Sequence, residues 1–282
     1  MRANWARVTG VNAEFITELV DAGIDRREAR WLVQEFVPGS ERDAHDALLA
    51  AAARRLNGEP LQYIIGHWPF RSLDLDVDER ALIPRPETEE LVDVALRELA
   101  TGAVAAPLIV DLGTGSGAIG LSLMSELLTR GVSASLIAVD ESSDTLALAR
   151  QNARKHHLDA VSFVHSSWFN SLDESLRGRV DLIVANPPYI GEAEFADLDP
   201  VLRHEPHGAL VADDARGVQG FADVDLIIRE AFTWLAPHGA LICEHSDTHR
   251  RYVLELAKQV GYQWIHDLDD LAGQPRILVA RR

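Results

Sequence analysis

The sequence predicts an α/β protein with a small all-α domain at its N-terminal end, and three observations support this fold class. From about residue 88, segments with helical periodicity alternate with short apolar runs of strand length. A glycine-rich loop follows one of these runs and opens a helix. The first sixty residues show helical periodicity alone. Repeated βα units of this kind form a mostly parallel sheet with helices on both faces.

Residues 1–60 are predicted to form a bundle of short amphipathic helices. Apolar residues recur there at the spacing that places them on one side of a helix. The expected helix starts are Asn12, Asp25 with Glu28 as a capping box, and Ser40, and the expected stops are Pro38–Gly39 and Asn57–Gly58. The bundle contains no catalytic constellation, so docking or stability is its expected role.

Residues 61–83 change to alternating apolar segments separated by glycine, proline and acidic residues. This pattern predicts a β-hairpin connector. The α/β domain then covers residues 84–282. Its expected strands are 108–112, 136–140, 161–165, 181–185, 240–244 and two closing strands, and its expected helices are one through Leu91 and Leu96, one from Ala118, and those at 143–156, 222–235 and 249–260.

The composition is that of a folded globular protein, with 47% hydrophobic and 25% charged residues among 282. The formal net charge is -17, of which about -15 falls after residue 70. Such acidity repels a polyphosphate backbone, so we expect no stable nucleic-acid partner. The single cysteine, Cys243, cannot form an internal disulfide and is expected to be a buried apolar residue. Neither a signal peptide nor a membrane span is evident, which predicts a cytoplasmic protein without a membrane partner.

The glycine loop after the first strand of the α/β domain is the first candidate site. It comprises Asp111, Gly113, Thr114, Gly115, Ser116 and Gly117. Glycines at alternate positions let the backbone turn sharply and approach a ligand closely. The spacing of Gly113, Gly115 and Ala118 also fits a dinucleotide fingerprint, and a glycine turn without a ligand is a further alternative.

Two carboxylates favour one of these interpretations. Asp111 would oppose a pyrophosphate but suits a cationic amino-acid group, and Asp140 ends the next strand, where it can accept hydrogen bonds from ribose hydroxyls. Together they favour S-adenosyl-L-methionine over NAD as the cofactor.

The motif Asn186-Pro187-Pro188-Tyr189 follows the apolar strand 181–185 and is the predicted catalytic element. An amide or exocyclic amine is a weak nucleophile, so its N–H groups must be held by acceptors while the nitrogen faces the methyl donor. Asn186 offers a side-chain carbonyl, and the backbone carbonyl of Pro187 offers a second acceptor. The prolines stiffen the turn, and Tyr189 presents a ring to a planar group. A simple Asn-Pro turn is the structural alternative.

With these residues the chain resembles the release-factor glutamine methyltransferases, a branch of the class I S-adenosylmethionine-dependent methyltransferases. The resemblance spans nearly the whole chain. It rests on Gly58–Tyr63, Gly66, Phe70, Leu82–Glu89, the glycine loop, Asp140, Asn152, Trp168, Asn186–Tyr189, Glu205–Pro206, Ala209–Leu210, Asp270–Gly273 and Arg276. Asn-Pro-Pro-Tyr alone also occurs in adenine-N6 methyltransferases of DNA, whereas Pro84–Glu89 points to the release-factor branch.

The resemblance implies a Rossmann-like seven-stranded methyltransferase domain joined by a hairpin to the helical domain. It implies methylation of the side-chain amide nitrogen, N5, of the glutamine in the Gly-Gly-Gln motif of peptide chain release factors. A monomer without a metal site is expected. Gly113 to Gly117, Asp140, Trp168 and Asn186 would contact the cofactor, and Asn186 to Tyr189 would orient the glutamine. Arg85 and Glu87 either border the site or form a structural ion pair.

Two segments depart from the family pattern, at 212–218 and at 244–249. The second holds His245 and His249, which are expected to be solvated or capping residues rather than metal ligands. Alternative functions are methylation of a ribosomal-protein glutamine, adenine-N6 methylation of a nucleic acid, and cofactor binding by a non-catalytic adaptor.

Overall fold

The structure is a computed structural model that describes residues 10–37, 42–102 and 104–282. The expected break at Pro38–Gly39 and the expected cap at Ser40 lie outside the described residues. The chain divides into two compact units. The first contains the described residues up to Gly66 together with Asp199–His204, and the second contains His67–Leu198 and Glu205–Arg282.

The first unit is helical. Its helices are α1 (Gly10–Asp21), α2 (Arg26–Phe36), α3 (Arg42–Leu56) and α4 (Leu61–Ile65). They pack around a core that includes Leu19, Leu32 and Leu48, each no more than 1% exposed. Burial of these apolar side chains is what stabilises helices this short.

Two cap predictions in this unit were wrong in part. Asn12 lies inside α1 rather than before it, because apolar periodicity locates a helix better than it locates the first turn. Asp25 does cap α2, where its side chain accepts a hydrogen bond from the backbone N–H of Arg27 at 2.8 Å. The Glu28 carboxylate instead accepts from Arg55 at 2.8 and 3.0 Å, so this ion pair replaces the second half of the capping box.

The hairpin is shorter than the alternation of residues 61–83 predicts. Residues Leu61–Ile65 form α4, which ends at Gly66 in the left-handed region at φ 83°. The hairpin itself consists of β1 (His67–Phe70) paired with β2 (Leu73–Asp76). Pro60 fixes the backbone before α4, and a glycine is the residue that ends it at least cost, so the local turn chemistry outweighs the alternation.

The second unit contains the mostly parallel sheet that the sequence predicts. Seven strands lie in the order β5 (Val161–His165), β4 (Ser135–Asp140), β3 (Leu108–Leu112), β6 (Val180–Ala185), β7 (Leu235–Glu244), β9 (Pro275–Arg281) and β8 (Trp264–Asp269). The first five are parallel, and β9 pairs antiparallel with β7 and β8. The helices of this unit are α5 (Thr88–Gly102), α6 (Ala118–Thr129), α7 (Ser143–Lys155), α8 (Glu192–Phe195), α9 (Ala222–Trp234) and α10 (Arg250–Val260).

Both faces of the sheet are covered. Val110, Ile183 and Leu241 belong to one core cluster with residues of α9 and α10. Their strand neighbours Ile109 and Val184 point to the opposite face and are also 0% exposed. Cys243 lies in β7 and is 0% exposed, which confirms that the single cysteine is buried. Among the described helices, none is long and apolar enough to cross a membrane.

Candidate active site

A cavity of about 680 Å³ opens where the parallel strands β3, β4 and β6 end. Parallel strands bring their carboxyl ends to one edge of a sheet, and ligands of such sheets bind at that edge. The cavity volume falls in the range of small-molecule sites, roughly 300–1,000 Å³. The predicted residues that line it are Gly113, Thr114, Gly115, Ser116, Asp140, Trp168, Asn186 and Pro188. Asp111, Gly117, Pro187 and Tyr189 are not in its wall.

The glycine loop requires glycine for backbone reasons. Gly113, Gly115 and Gly117 have φ values of 66°, 57° and 87°, in the region that side chains with a Cβ rarely adopt. Space is short as well, because a Cβ on Gly117 would lie 2.6 Å from a methyl carbon of Leu121. A Cβ on Gly115 would meet nothing within 4 Å, so at this position the backbone faces open space.

Asp111 lies beneath the loop. Its Oδ2 accepts hydrogen bonds from the Thr114 hydroxyl at 2.6 Å and from the Gly120 N–H at 3.0 Å. These bonds tie β3, the loop and α6 together. Burial raises the pKa of Asp111 to about 6, even though both hydrogen bonds act to lower it. The structure therefore places Asp111 as a support of the loop rather than as a part of the cavity wall.

Asp140 ends β4 and faces the cavity. Its two carboxylate oxygens accept backbone N–H bonds from Gly115 and Ser142, each at 3.0 Å. Each oxygen has a second lone pair, so the carboxylate can still accept bonds from a ligand. Burial raises the pKa of Asp140, and the two backbone bonds oppose that rise. The side chain is thus held in place before any ligand arrives.

Trp168 forms a wall of the cavity beside the glycine loop. A Cβ on Gly113 would lie 3.3 Å from its ring, so the loop backbone and the indole are in close approach. The indole N–H donates to Asp223 at 3.0 Å, which fixes the ring. Its backbone φ of 47° is unusual for a tryptophan and indicates a locally strained turn.

The Asn186–Tyr189 turn follows β6 at the same edge. Asn186 is half-buried, and its Nδ2 donates to the Thr88 hydroxyl at 3.2 Å. The Tyr189 hydroxyl bonds to Glu244 at 3.1 Å behind the wall. Burial and the charge of Glu244 raise the pKa of Tyr189, so its hydroxyl stays protonated. The turn is therefore held at both ends by hydrogen bonds, with Asn186 and Pro188 at the cavity wall.

Three residues that the sequence patterns did not single out as site residues support this arrangement. Thr88 and Glu244 are joined by a hydrogen bond of 2.9 Å although they are 156 positions apart. Buried Glu205 accepts from the Ile83 N–H at 3.0 Å and from Arg85 at 2.6 Å. The sequence offered a signal for one of these contacts. Both Pro84–Glu89 and Glu205–Pro206 belong to the family resemblance, and the bond between Arg85 and Glu205 joins the two segments.

Arg85 forms an ion pair with Glu205, and it also lines the cavity, so the two interpretations of this residue are both correct. Glu87 is exposed and does not line the cavity. The atypical segment 212–218 closes a tight turn, in which the Val218 N–H bonds to the Ala215 carbonyl at 2.8 Å. Its Asp213 reaches the cavity rim.

The expectation that His245 and His249 are solvated or capping residues was wrong about solvation, because both are buried, whereas His249 does occupy the N-cap position of α10, without a side-chain capping bond. His245 is 0% exposed and its Nε2 lies 3.1 Å from the Asp267 carboxylate. His249 is 1% exposed, contacts the Gln219 carbonyl at 2.8 Å and packs edge-on against Phe221. Local composition could not show this, because the burying partners come from other elements. Within the described residues, no group of three or more His, Cys, Asp or Glu side chains is arranged to hold a metal ion.

The residues of the cavity fit S-adenosylmethionine. The cavity offers a backbone cradle, an aromatic wall and a preorganised carboxylate, the kinds of group that an amino-acid end, an adenine and a ribose require. Glu141, Asp213 and Asp223 add negative charge at the same cavity, which suits a ligand with a sulfonium and an ammonium group. Two arginines, Arg80 and Arg85, also line the cavity, but each is paired with a carboxylate and five carboxylates line the same cavity. A pyrophosphate would therefore meet net repulsion, so the dinucleotide alternative is not favoured.

A seven-stranded, mostly parallel sheet with this loop and turn at its carboxyl edge defines a class I methyltransferase. Residues 107–269 match the family model described as a methyltransferase domain. Relatives named release factor glutamine methyltransferase include one from Pasteurella multocida, 40% identical over 79% of this chain and 76% of that one. Another, from Pseudomonas aeruginosa, is 38% identical over 96% of this chain and 93% of the relative. The chain belongs to the family of release factor glutamine methyltransferases.

Solved structures agree on the fold. A methyltransferase from Pyrococcus furiosus superposes with a TM-score of 0.51 at 16% identity, over 86% of this chain and 98% of that one. A ribosomal protein L11 methylase from Lactobacillus delbrueckii gives a TM-score of 0.50 at 18% identity, over 73% of this chain and 83% of that one. At such identities the likeness concerns the fold alone.

Proposed function

We propose that this protein transfers a methyl group from S-adenosylmethionine to the side-chain amide nitrogen of the glutamine in the Gly-Gly-Gln motif of peptide chain release factors. One observation carries the proposal: Asn186, an acceptor for the substrate amide, is held by Thr88 at the wall of a cavity that fits the cofactor. The names of the relatives support release factors as the substrate. They do not favour a ribosomal protein, an adenine or an adaptor role.

The chain's own residues supply binding and orientation. The loop from Gly113 to Gly117 and the Asp140 carboxylate would hold the cofactor, Trp168 would cover its adenine, and Asp111 would support the loop from below. When bound, S-adenosylmethionine supplies an electrophilic methyl group on a positively charged sulfur. Asn186 Oδ1 and the Pro187 carbonyl would accept the two amide hydrogens of the glutamine, which aims the nitrogen lone pair at the methyl group. Pro188 and Tyr189 would keep the turn rigid.

Mass spectrometry tests the proposal directly. The protein, incubated with S-adenosylmethionine and the release factor of the same organism, should add one methyl group to the Gly-Gly-Gln peptide. A release factor with glutamate in place of that glutamine should stay unmodified. An unmodified glutamine at saturating cofactor would refute the proposed function.

The Asn186→Ala variant tests the role of the acceptor. Turnover should fall by at least about a hundredfold, the usual effect of removing one preorganised polar group from a site. The Kd for S-adenosylmethionine, measured by calorimetry, should change little because the loop and Asp140 are untouched. Turnover near the wild-type value would show that Asn186 does not orient the substrate.

We further propose that residues 1–60 dock the substrate, that 61–83 connect, and that 84–282 form the catalytic domain. In support, the residues that line the cavity all belong to the second unit, and most of them lie within 84–282, while Phe70, Arg80, Ala81 and Leu82 of the connector also line it. Leu49 is 40% exposed and Leu128 is 65% exposed. Leu49→Glu should raise the KM for the release factor at unchanged kcat, whereas Leu128→Glu serves as the matched control. Equal KM values would argue against docking by the first unit.

A cytoplasmic location, a monomeric state and the lack of a stable nucleic-acid partner complete the proposal. The acidic composition supports the last of these, because a net charge of -17 repels nucleic acid.

A further inference from the structure

Glu244 lies at the end of β7, behind the Asn186–Tyr189 turn, and is 2% exposed. Its Oε2 bonds to the Thr88 hydroxyl at 2.9 Å, and its Oε1 bonds to the Tyr189 hydroxyl at 3.1 Å. The Thr88 hydroxyl also meets Asn186 Nδ2 at 3.2 Å. One buried carboxyl group thus connects to both ends of the Asn-Pro-Pro-Tyr motif.

The number of hydrogens in this network determines which group donates and which accepts in each bond. An ionised carboxylate accepts and cannot donate, so both hydroxyls must donate to Glu244. The hydrogen of Thr88 is then used, and its oxygen can only accept a bond from Asn186. Because the NH₂ group of Asn186 is the donor end of the amide, it must face Thr88. Oδ1 is then the end of the amide that remains for the substrate.

We propose that Glu244 is a positioning residue whose ionised carboxylate, acting through Thr88, determines that Asn186 presents Oδ1 to the substrate glutamine, while holding Tyr189 at the other end of the turn. This inference rests on the proposed methyl transfer for its effect on turnover. It concerns a residue that touches neither the cofactor cavity nor the reacting atoms.

The charges around Glu244 decide when it is ionised. Burial raises its pKa, and the bond from Thr88, the Arg276 guanidinium and the bond from Tyr189 oppose the rise. The charge of Glu87 adds to the rise, and the Cys243 thiol is adjacent in the chain. Arg276 is itself held by Asp270, with Nε to Oδ2 at 3.3 Å, and lies 5.9 Å from the centre of the Tyr189 ring.

Protonation would reverse the direction of the network. A protonated Glu244 can donate to Thr88, which then has its own hydrogen free to donate to Asn186. That arrangement attracts Oδ1 toward Thr88 and turns the NH₂ group to the substrate, where it cannot accept an amide hydrogen. Turnover should therefore fall as the pH falls through the raised pKa of Glu244.

The test compares Glu244→Gln with Glu98→Gln in the full chain. Glu98 pairs with Arg281 at 2.6 Å, apart from the Thr88–Glu244 network, and provides a matched loss of a carboxylate. Glu244→Gln should lower kcat by at least about tenfold, which corresponds to a rise of about 1.4 kcal/mol in the activation free energy. Its Kd for S-adenosylmethionine should be unchanged, and its pH profile should lack the acidic limb. Glu98→Gln should keep the wild-type kcat and the wild-type acidic limb.

Thr88 variants test the same relay without changing a charge. Thr88→Ser keeps the hydroxyl and should stay near the wild-type kcat, whereas Thr88→Val should lose about as much as Glu244→Gln. The double variant should be no slower than the slower single variant, because both changes break one chain of bonds. Equal kcat for the Ser and Val variants, or losses that multiply, would overturn the proposal. The Thr88 pair decides the matter if Glu244→Gln does not fold.

A readout without substrate separates this inference from the proposed function. The side-chain NH₂ signals of Asn186 in the NMR spectrum, assigned by their loss in Asn186→Ala, should shift with pH in the wild type and not in Glu244→Gln. Signals that titrate alike in both proteins would overturn the role of Glu244. A wild-type protein that leaves the release factor unmethylated, with these shifts as expected, would count against the proposed function alone.

Discussion

At the scale of single residues, Asp111 and Asp140 show how position in a motif and position in space differ. Both carboxylates stand at the carboxyl edge of neighbouring parallel strands, and the sequence suggested that both meet the cofactor. Asp140 faces the cavity, while Asp111 is 0% exposed and uses Oδ2 for bonds to Thr114 and Gly120. Its Oδ1 has no hydrogen-bond partner among the described residues. Burial of the Asp111 carboxylate therefore costs desolvation free energy. A carboxylate that faced the cavity could offset that cost by bonding to the ligand.

That cost predicts a pH dependence of stability. The pKa of Asp111 is about 6 in the folded protein against 3.8 as the reference value for the unfolded chain. The folded form binds the proton more tightly, so the contribution of Asp111 to the free energy of unfolding falls by about 3 kcal/mol as pH rises from about 4 to 6. Urea denaturation of the wild type and of Asp111→Asn at several pH values measures this.

The Asp111→Asn variant lacks the titrating group, so its stability relative to the wild type should rise across that window. The comparison cancels the other carboxylates, which both proteins share. Curves that stay parallel between pH 4 and pH 6 would contradict the assignment of a raised pKa to Asp111.

Sequence patterns indicate some residues of the site but not the buried Glu244. The glycine loop and Asn186 directly follow strands, and Asp140 is the last residue of one, so the local pattern was sufficient to locate them. Glu244 also ends a strand, but its importance comes from Thr88, 156 positions away. A hydrogen bond between such distant residues leaves no local periodicity or spacing, and the sequence alone could not indicate it.

At the scale of elements, α6 packs unusually close to the sheet at Gly120. A Cβ at this position would lie 2.8 Å from Asp111 Oδ2 and 2.8 Å from a methyl carbon of Leu136. Leu136 belongs to β4 and Asp111 to β3, so Gly120 lets the helix approach two strands at once. This close approach is what brings the Gly120 N–H within 3.0 Å of the carboxylate.

Gly120→Ala should therefore destabilise the protein although alanine favours helices. Overpacking typically costs about 1–3 kcal/mol, more than the gain in helix propensity of about 1 kcal/mol. Gly102, also helical, is the matched control, because a Cβ there would meet Val104 at an ordinary 3.8 Å. Denaturant unfolding of both variants measures the difference, and equal stability would show that α6 can shift without cost.

The order of elements was predicted well because the βα units repeat a strong alternation. Strands β3 to β6 and helices α7, α9 and α10 were expected within a few residues of their observed bounds, α5 contains the residues expected of it, and α6 begins at Ala118 as expected. Besides α8, two places escaped prediction. The helix α4 stands where alternation suggested strand, and β7 begins at Leu235 rather than at 240 because its first half includes Pro237 and Gly239, which do not resemble strand residues.

At the scale of the whole molecule, the charge is the dominant property. Of the net -17, about -15 falls after residue 70, in the part of the chain that holds the cavity. Acidic groups at the cavity include Glu141, Asp213 and Asp223. Under the proposed function, we expect this negative charge to attract the release factor if its Gly-Gly-Gln loop carries positive charge.

The predicted consequence is a salt-dependent encounter. The value of kcat/KM for the release factor should fall several-fold between about 50 mM and 500 mM salt, because the Debye length shrinks from more than 10 Å toward a few ångströms. The value of kcat at saturating substrate should stay nearly constant, since the bound complex needs no steering. A kcat/KM that does not change with salt would assign the charge to solubility alone.

The labelling rate of the buried Cys243 thiol can measure how often this protein unfolds. The thiol sits in β7 between β6 and β9, is 0% exposed, and burial raises its pKa. A thiol reagent can therefore reach it only when the centre of the sheet opens, so the labelling rate reports how often the protein unfolds. Since the sequence has one cysteine, each adduct in a mass spectrum marks one molecule that has opened. Cofactor binding should lower the labelling rate by the factor 1 + L/Kd, where L is the free cofactor concentration, so labelling times measure the affinity for the cofactor without any turnover.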